Sequence, residues 1–216
     1  MSRAVYTHCR CLAAAALALP LFAVAPAAAI DFAPPAPGHR FEYECNSNLP
    51  NPINPARTAE IRIEQVEGGT VTYATLVNGS PRLEIRQPLS LYGTSLAEQV
   101  SSRNGTSRAV AGLDKFPSLG DLKVGSTHEG SIEWAHESGK RNTYKVTVTI
   151  SEETKYRTGP FGYIPVFVIE ETWTGPKTNV TSKTYISPER SAVIAWTNEV
   201  GRHGIEECWL TGVRAP

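Results

Sequence analysis

The chain has 216 residues, 21 basic and 21 acidic side chains, and a formal net charge of zero. Proteins bind nucleic acids and anionic membrane surfaces through basic patches. The balanced charge does not favour either, and we expect no nucleic-acid partner. The length suits one domain.

The first residues predict export. Arg3 and Arg10 form a short basic region, and the apolar run that follows ends in small residues, with Ala27 and Ala29 at an A-x-A cleavage site. We therefore expect residues 1–29 to be a signal peptide that is cleaved near Ala29, and the mature protein to be exported to the periplasm of a Gram-negative bacterium. A transmembrane helix is the alternative, and two prolines in the run argue against it. No later apolar run has the length that a spanning helix needs, so we expect the protein not to span the membrane.

The cysteines predict one disulfide. Cleavage removes two of the four cysteines and leaves Cys45 and Cys208, in the first and last predicted strands. Two cysteines in an oxidising compartment favour a bond, which would make the ends of the domain neighbours. A pair of buried free thiols is the alternative. We assign residues 30–40 to a Pro/Ala-rich linker and residues 41–216 to a single β-rich domain.

Alternation of apolar and polar residues predicts about ten strands in chain order. Residues 89–112 lack this pattern and are predicted as a loop or a short helix. Residues 166–169 are consecutive and apolar, which favours a central strand covered on both faces. We expect an all-β or strongly β-biased fold: a curled antiparallel sheet, as a half-barrel or open barrel, with at most one or two short helices. The predicted strands cover residues 41–45, 59–66, 70–77, 82–87, 131–136, 142–151, 163–173, 181–187, 191–199 and 204–210.

The sequence offers little reactive chemistry. It has no nucleophile elbow, phosphate-binding loop or pair of histidines at metal-ligand spacing, so we expect no catalytic residues, no metal and no cofactor. Adjacent acids recur at residues 170–171 and 206–207, but neighbours on a strand point to opposite faces. An acid/base pair would need one inward glutamate from each of two strands. We expect these glutamates on solvated faces or at strand ends, which makes a hydrolase the least favoured alternative.

The tryptophans are the best candidates for ligand contacts. All four lie on predicted strands in the C-terminal half, where they can pack in a core or line a concave apolar surface. We take Trp134, Phe167, Trp173 and Trp196 as candidate ligand-binding residues.

Three segments in residues 117–210 resemble a known pattern: "PSLGDLKVGSTHEGSIEW", "TGPFGYIPVFVIEETWTG" and "TYISPERSAVIAW". The pattern is that of uncharacterised exported proteobacterial proteins, which are similar to the half-barrels of lipoprotein carriers. The resemblance implies a curled sheet with an apolar concave side and supplies no catalytic residue. We therefore expect a non-enzymatic exported protein that binds an amphipathic or lipid-like ligand. A structural or protein-interaction module of the cell envelope is the alternative.

Overall fold

A computed structural model describes residues 33, 35–49, 58–77, 79–121, 123–176, 179–201 and 203–216. The predicted signal peptide lies outside these residues. The described chain forms strands β1 (Arg40–Ser47), β2 (Thr58–Glu67), β3 (Thr70–Val77), β4 (Ser80–Pro88), β5 (Gln99–Ser102), β6 (Gly105–Ala111), β7 (Thr127–His136), β8 (Arg141–Thr158), β9 (Gly162–Thr174), β10 (Asn179–Ser187), β11 (Ala192–Val200) and β12 (Ile205–Arg214). Three single 3-10 turns accompany them, at Leu89–Leu91, Leu113–Lys115 and Leu119–Asp121.

The strands form a closed antiparallel barrel in chain order. Each strand pairs with its neighbours in sequence, and β1 pairs with β12 to close the sheet. The all-β prediction is confirmed, but the expected half-barrel or open barrel of about ten strands is wrong, because the barrel has twelve strands and is closed.

The two strands missing from the prediction are β5 and β6. They form a hairpin in the segment that was expected to be a loop or short helix, and its turn pairs Ser102 with Gly105. β5 pairs with β4, and β6 pairs with β7, so this hairpin bridges the N-terminal and C-terminal halves of the sheet. Without it the sheet would stay open, which is the physical reason for the difference between the expected and the observed architecture.

Period-two alternation fills the barrel interior. On β8, Val146, Val148 and Ile150 are at most 2% exposed, whereas Lys145 between the strand's apolar positions faces solvent. Full burial of one such side chain contributes about 1.5–3 kcal/mol. The inward rows of successive strands therefore account for most of the core.

The predicted disulfide is confirmed. Cys45 of β1 and Cys208 of β12 are register partners and are bonded to each other. The bond joins the first and last strands, so it lies across the closing seam of the barrel.

The long β8–β9 hairpin also covers part of the outer surface. Beyond an irregularity between Ile150 and Glu152, β8 extends until it contacts β12, and the ring of Tyr156 lies 4.7 Å from that of Tyr185 on β10. On β9, Val168 and Ile169 face opposite sides of the sheet, and both are at most 1% exposed. The prediction that this strand is covered on both faces is confirmed.

The connection between β4 and β5 enters the barrel. We call residues 89–98 the inserted loop, and the barrel end from which it enters the plugged end. Four apolar side chains of this loop are at most 4% exposed, namely Leu91, Tyr92, Leu96 and Ala97. Gln87 holds the loop from the barrel wall: its Nε2 donates to the carbonyl oxygens of Leu91 at 2.8 Å and Leu96 at 2.7 Å.

Phe116, in the connection between β6 and β7, adds to the closure of the plugged end. It is 8% exposed and packs against Gly130 of β7, where an added Cβ would lie 2.8 Å from its ring. Gly130 is the register partner of the inward-facing Val146. The missing side chain at Gly130 thus makes room for the phenyl ring inside the wall.

Candidate ligand-binding cavity

The described residues enclose two neighbouring cavities in the barrel. The larger has a volume of about 550 Å³ and the smaller about 310 Å³. Ser95 of the inserted loop, Val100 of β5 and Asn198 of β11 line both of them, so the cavities adjoin at the tip of the inserted loop. Small-molecule sites in proteins have volumes of this size, about 300–1,000 Å³.

Among the described residues, the wall of the larger cavity combines three aromatic and four aliphatic side chains with six polar ones. Trp134, Tyr144 and Trp173 contribute to it, and the rings of Tyr144 and Trp173 meet edge to face at 5.9 Å. The indole Nε1 of Trp173 is buried and has no hydrogen-bond partner among the described residues. The remaining lining residues are Leu49, Ser95, Val100, Ser107, His136, Lys140, Asn142, Val180, Asn198 and Val200.

The larger cavity extends toward the barrel end opposite the inserted loop, which we call the far end. His136, Lys140 and Asn142 lie there, at the turn between β7 and β8. His136 Nε2 lies 3.3 Å from the carbonyl oxygen of Asn104, so Nε2 carries the proton, and Nδ1 accepts from the backbone N–H of Ser138 at 3.1 Å. This histidine therefore ties two turns together, and Lys140 is the one lysine or arginine among the described lining residues.

Tyrosines and a tryptophan surround the smaller cavity. Tyr73 and Tyr92 meet edge to face at 6.1 Å, and Trp196 lies 4.7 Å from the ring of Tyr43. The hydroxyl of Tyr43 donates to the carbonyl oxygen of Val193 at 2.9 Å. Burial raises the pKa of Tyr73, with a further contribution from the charge of Glu171, so the phenol stays neutral.

Glu171 of β9 is a buried carboxyl group beside both cavities. It is 1% exposed, and its Oε2 accepts hydrogen bonds from the backbone N–H of Ser95 at 2.8 Å and from Ser182 Oγ at 3.4 Å. Its Oε1 has no hydrogen-bond partner among the described residues. Desolvation raises the pKa of Glu171, and the hydrogen bonds from Ser95 and Ser182 oppose that rise.

Glu206 is a second inward carboxyl group. It is fully buried on β12 and lines the smaller cavity. The expectation that these glutamates lie on solvated faces or at strand ends is therefore wrong for Glu171, and Glu206 lies at the start of its strand, as expected, but faces inward. Their neighbours Glu170 and Glu207 are accessible, as alternation along a strand requires.

Register places the two inward carboxyl groups in one row but far apart. Glu171 pairs with Ser182, Ser182 with Asn198, and Asn198 with Glu206. Their backbones are thus three strand spacings apart, about 14 Å along the wall.

The four residues that were predicted to bind ligand lie in three different parts of the barrel. Trp134 and Trp173 line the larger cavity, and Trp196 lines the smaller one. Phe167 is partly buried against the core and lines neither cavity. Across the described ranges, no group of three histidine, cysteine or acidic side chains is placed to hold a metal ion.

Sequence reasoning missed the inserted loop and the inward carboxyl groups. The alternation along each strand did contain a signal for the carboxyl groups. Glu171 lies on the same face of β9 as Ile169 and Trp173, and Glu206 lies on the same face of β12 as Cys208 and Leu210. No comparable signal marks Ser95, because its place beside Glu171 depends on a contact across the barrel between residues 76 positions apart.

Comparison with known proteins supports the fold alone. No protein-family model matches the sequence, and no curated protein matches it. Among solved structures, the hypothetical lipoprotein YmcC from Escherichia coli is similar, with a TM-score of 0.51, 10% identity, and coverage of 81% of this chain and 87% of that one. Separately, none of the helical segments in the described ranges is both long and apolar enough to cross a bilayer.

Proposed function

We propose that this chain is an exported protein of the cell envelope that holds an apolar or amphipathic small molecule inside its barrel. The observation that carries the proposal is the larger cavity, a space of about 550 Å³ walled by Trp134, Tyr144 and Trp173. Aromatic walls with a few polar groups are typical of sites that bind such ligands.

The physics of packing supports an occupant. Protein interiors are close-packed, and an apolar cavity lacks the dispersion contacts that a filled core would have. Three aromatic and four aliphatic side chains present apolar surface to the larger cavity, and burying such surface against an apolar molecule is favourable. A ligand in the larger cavity would restore contacts with the tryptophan wall and accept a hydrogen bond from Trp173 Nε1.

Three observations support the envelope as the location. The disulfide between Cys45 and Cys208 is typical of oxidising compartments such as the periplasm. The sequence predicts a signal peptide in residues 1–29. The similar fold of YmcC belongs to a protein described as a hypothetical lipoprotein. Carriage of a lipid, as in the half-barrel carriers that the sequence resembles, is one form that this binding would take.

Native mass spectrometry of protein purified from the periplasm tests the proposal. We expect a mass increment from a bound small molecule that disappears after unfolding in organic solvent. The refolded, empty protein should then regain the increment when it is exposed to a total lipid extract. Protein that stays empty in both samples and co-purifies with a stoichiometric protein partner would instead favour an interaction module.

A further inference from the structure

We infer that the ligand of the larger cavity is an anionic amphiphile whose head group binds at Lys140 and whose apolar chain lies along the wall of Trp134 and Trp173. This inference rests on the proposed function and names the chemical class of its ligand. It follows from the distribution of charge between the two ends of the cavity system.

The rim of the larger cavity at the far end carries one lysine. Lys140 lines it, and no acidic side chain does so among the described residues. Every ion pair found between the described side chains involves other residues, so the ammonium group of Lys140 is available to a ligand. Glu137, the acid of the same turn, is engaged elsewhere: its Oε2 accepts from the backbone N–H of Thr106 at 2.9 Å.

Among the described residues, the lining of the smaller cavity contains no cation. Glu206 lines the smaller cavity, and Glu171 lies directly behind Ser95, where the two cavities adjoin. Neither carboxyl group offers a positive charge to an anionic head group, whereas Lys140 does. The head group is therefore favoured at Lys140 rather than at the inserted loop, which orients the molecule with its chain inward.

Hydrogen bonding agrees with this orientation. Trp173 is the second-last residue of β9, so it lies near the same rim as Lys140. Its buried N–H donor has no partner among the described residues and needs an acceptor oxygen. A carboxylate, phosphate or ester oxygen next to the head group supplies one, whereas a pure hydrocarbon does not.

Displacement of a neutral fluorescent probe tests the inference. N-phenyl-1-naphthylamine reports occupancy of the apolar cavity, and decanoate and 1-decanol compete with it at pH 8 as a matched pair with and without charge. The variant is Lys140→Gln. The control is Lys155→Gln, which removes one exposed lysine from the other end of β8.

We expect Lys140→Gln to weaken decanoate about fivefold, or about 1 kcal/mol, and to leave 1-decanol within about twofold. Lys155→Gln should change neither competitor, and 0.5 M salt should shrink the Lys140 effect. If the probe binds but Lys140→Gln affects both competitors alike or neither, the anionic assignment is wrong and the proposed function stands. If the probe does not bind saturably to the wild type, the proposed function fails and the inference fails with it.

Discussion

The backbone N–H of Ser95 donates a 2.8 Å hydrogen bond to Glu171 Oε2, which joins the tip of the inserted loop to the barrel wall. Ser95 lines both cavities, so this bond lies where they adjoin. The carboxyl group that accepts it is almost fully buried and has no salt-bridge partner among the described residues. The bond thus links the protonation of one side chain to the stability of the loop that divides the lumen.

Glu171→Gln should remove a pH dependence of stability. A raised pKa means that the folded state holds the proton more tightly than the unfolded chain does. Wild-type stability should therefore fall, relative to the variant, as the pH rises from the ordinary glutamate pKa of about 4.3 to the raised folded value, and stay constant above it. Thermal unfolding of both proteins between pH 4 and 8 measures this difference.

Glu153→Gln is the matched control for that experiment, because Glu153 is exposed on β8. Its melting temperature should track the wild type at every pH. If the difference in melting temperature between the wild type and Glu171→Gln is the same at pH 4 and pH 8, Glu171 does not have the raised pKa that its burial implies.

Gly93→Ala should loosen the inserted loop. Gly93 has a φ of +92°, and an added Cβ would clash with Ile186 Cδ1 on the barrel wall. Gly139 also has a positive φ, of +84°, but open space around it, so Gly139→Ala reports backbone strain alone. We expect Gly93→Ala to be less stable than Gly139→Ala by about 1–3 kcal/mol in urea unfolding.

Shortening the wall residue provides a second check on the loop. In an Ile186→Ala background the clash is absent, so Gly93→Ala should cost less there than in the wild type. Equal costs in both backgrounds would mean that Gly93 does not pack on Ile186.

The strands that alternation predicted are those with apolar residues at every second position. β8 shows this with Tyr144, Val146 and Val148; its start was predicted to within one residue, but its end at Thr158 lies seven residues beyond the predicted end. β5 and β6 escaped notice because Ser, Thr, Gly and Ala dominate them, with Val100 as the single large inward side chain of β5. Closure of the barrel depends on this weakly marked hairpin, so the sequence supported only an open sheet.

The candidate site was also predictable only in part. Trp134, Trp173 and Trp196 were identified by residue type, and each lines a cavity. Phe167 has the same parity on β9 as Ile169 and Trp173, yet it lines neither cavity. It lies nearer the plugged end, where it pairs with Ile186 of β10. The cavity itself depends on how the inserted loop packs, which local sequence does not encode.

Loss of the disulfide should lower stability substantially. Cys45 and Cys208 are separated by 163 residues. Closing a loop of that length stabilises by about 5 kcal/mol in the chain-entropy description, and measured values are about 2–5 kcal/mol. The Cys45→Ser/Cys208→Ser double variant should melt well below the wild type. Reductant should lower the wild-type melting temperature toward that of the variant and leave the variant unchanged. If the variant is as stable as the oxidised wild type, the disulfide does not stabilise the barrel.

The aromatic wall should govern ligand affinity. Trp134→Ala removes part of the lining of the larger cavity and should weaken N-phenyl-1-naphthylamine binding by about 1 kcal/mol or more, since it deletes buried aromatic contact area. Phe167→Leu is the comparison, because Phe167 was predicted to bind ligand but lines neither cavity. Its probe affinity should equal that of the wild type, and a stronger effect at Phe167 than at Trp134 would place the site elsewhere.

The central claim, a ligand-binding cavity in the barrel, is tested most directly by filling it. Ser107 of β6 lines the larger cavity, and Ser131 of β7 is exposed on the outer face, so Ser107→Trp and Ser131→Trp add the same side chain inside and outside. The measurement is a probe titration of ligand-stripped protein, with circular dichroism to verify folding. We predict saturable binding to the wild type and Ser131→Trp and none to folded Ser107→Trp. Undiminished binding to folded Ser107→Trp would contradict the account.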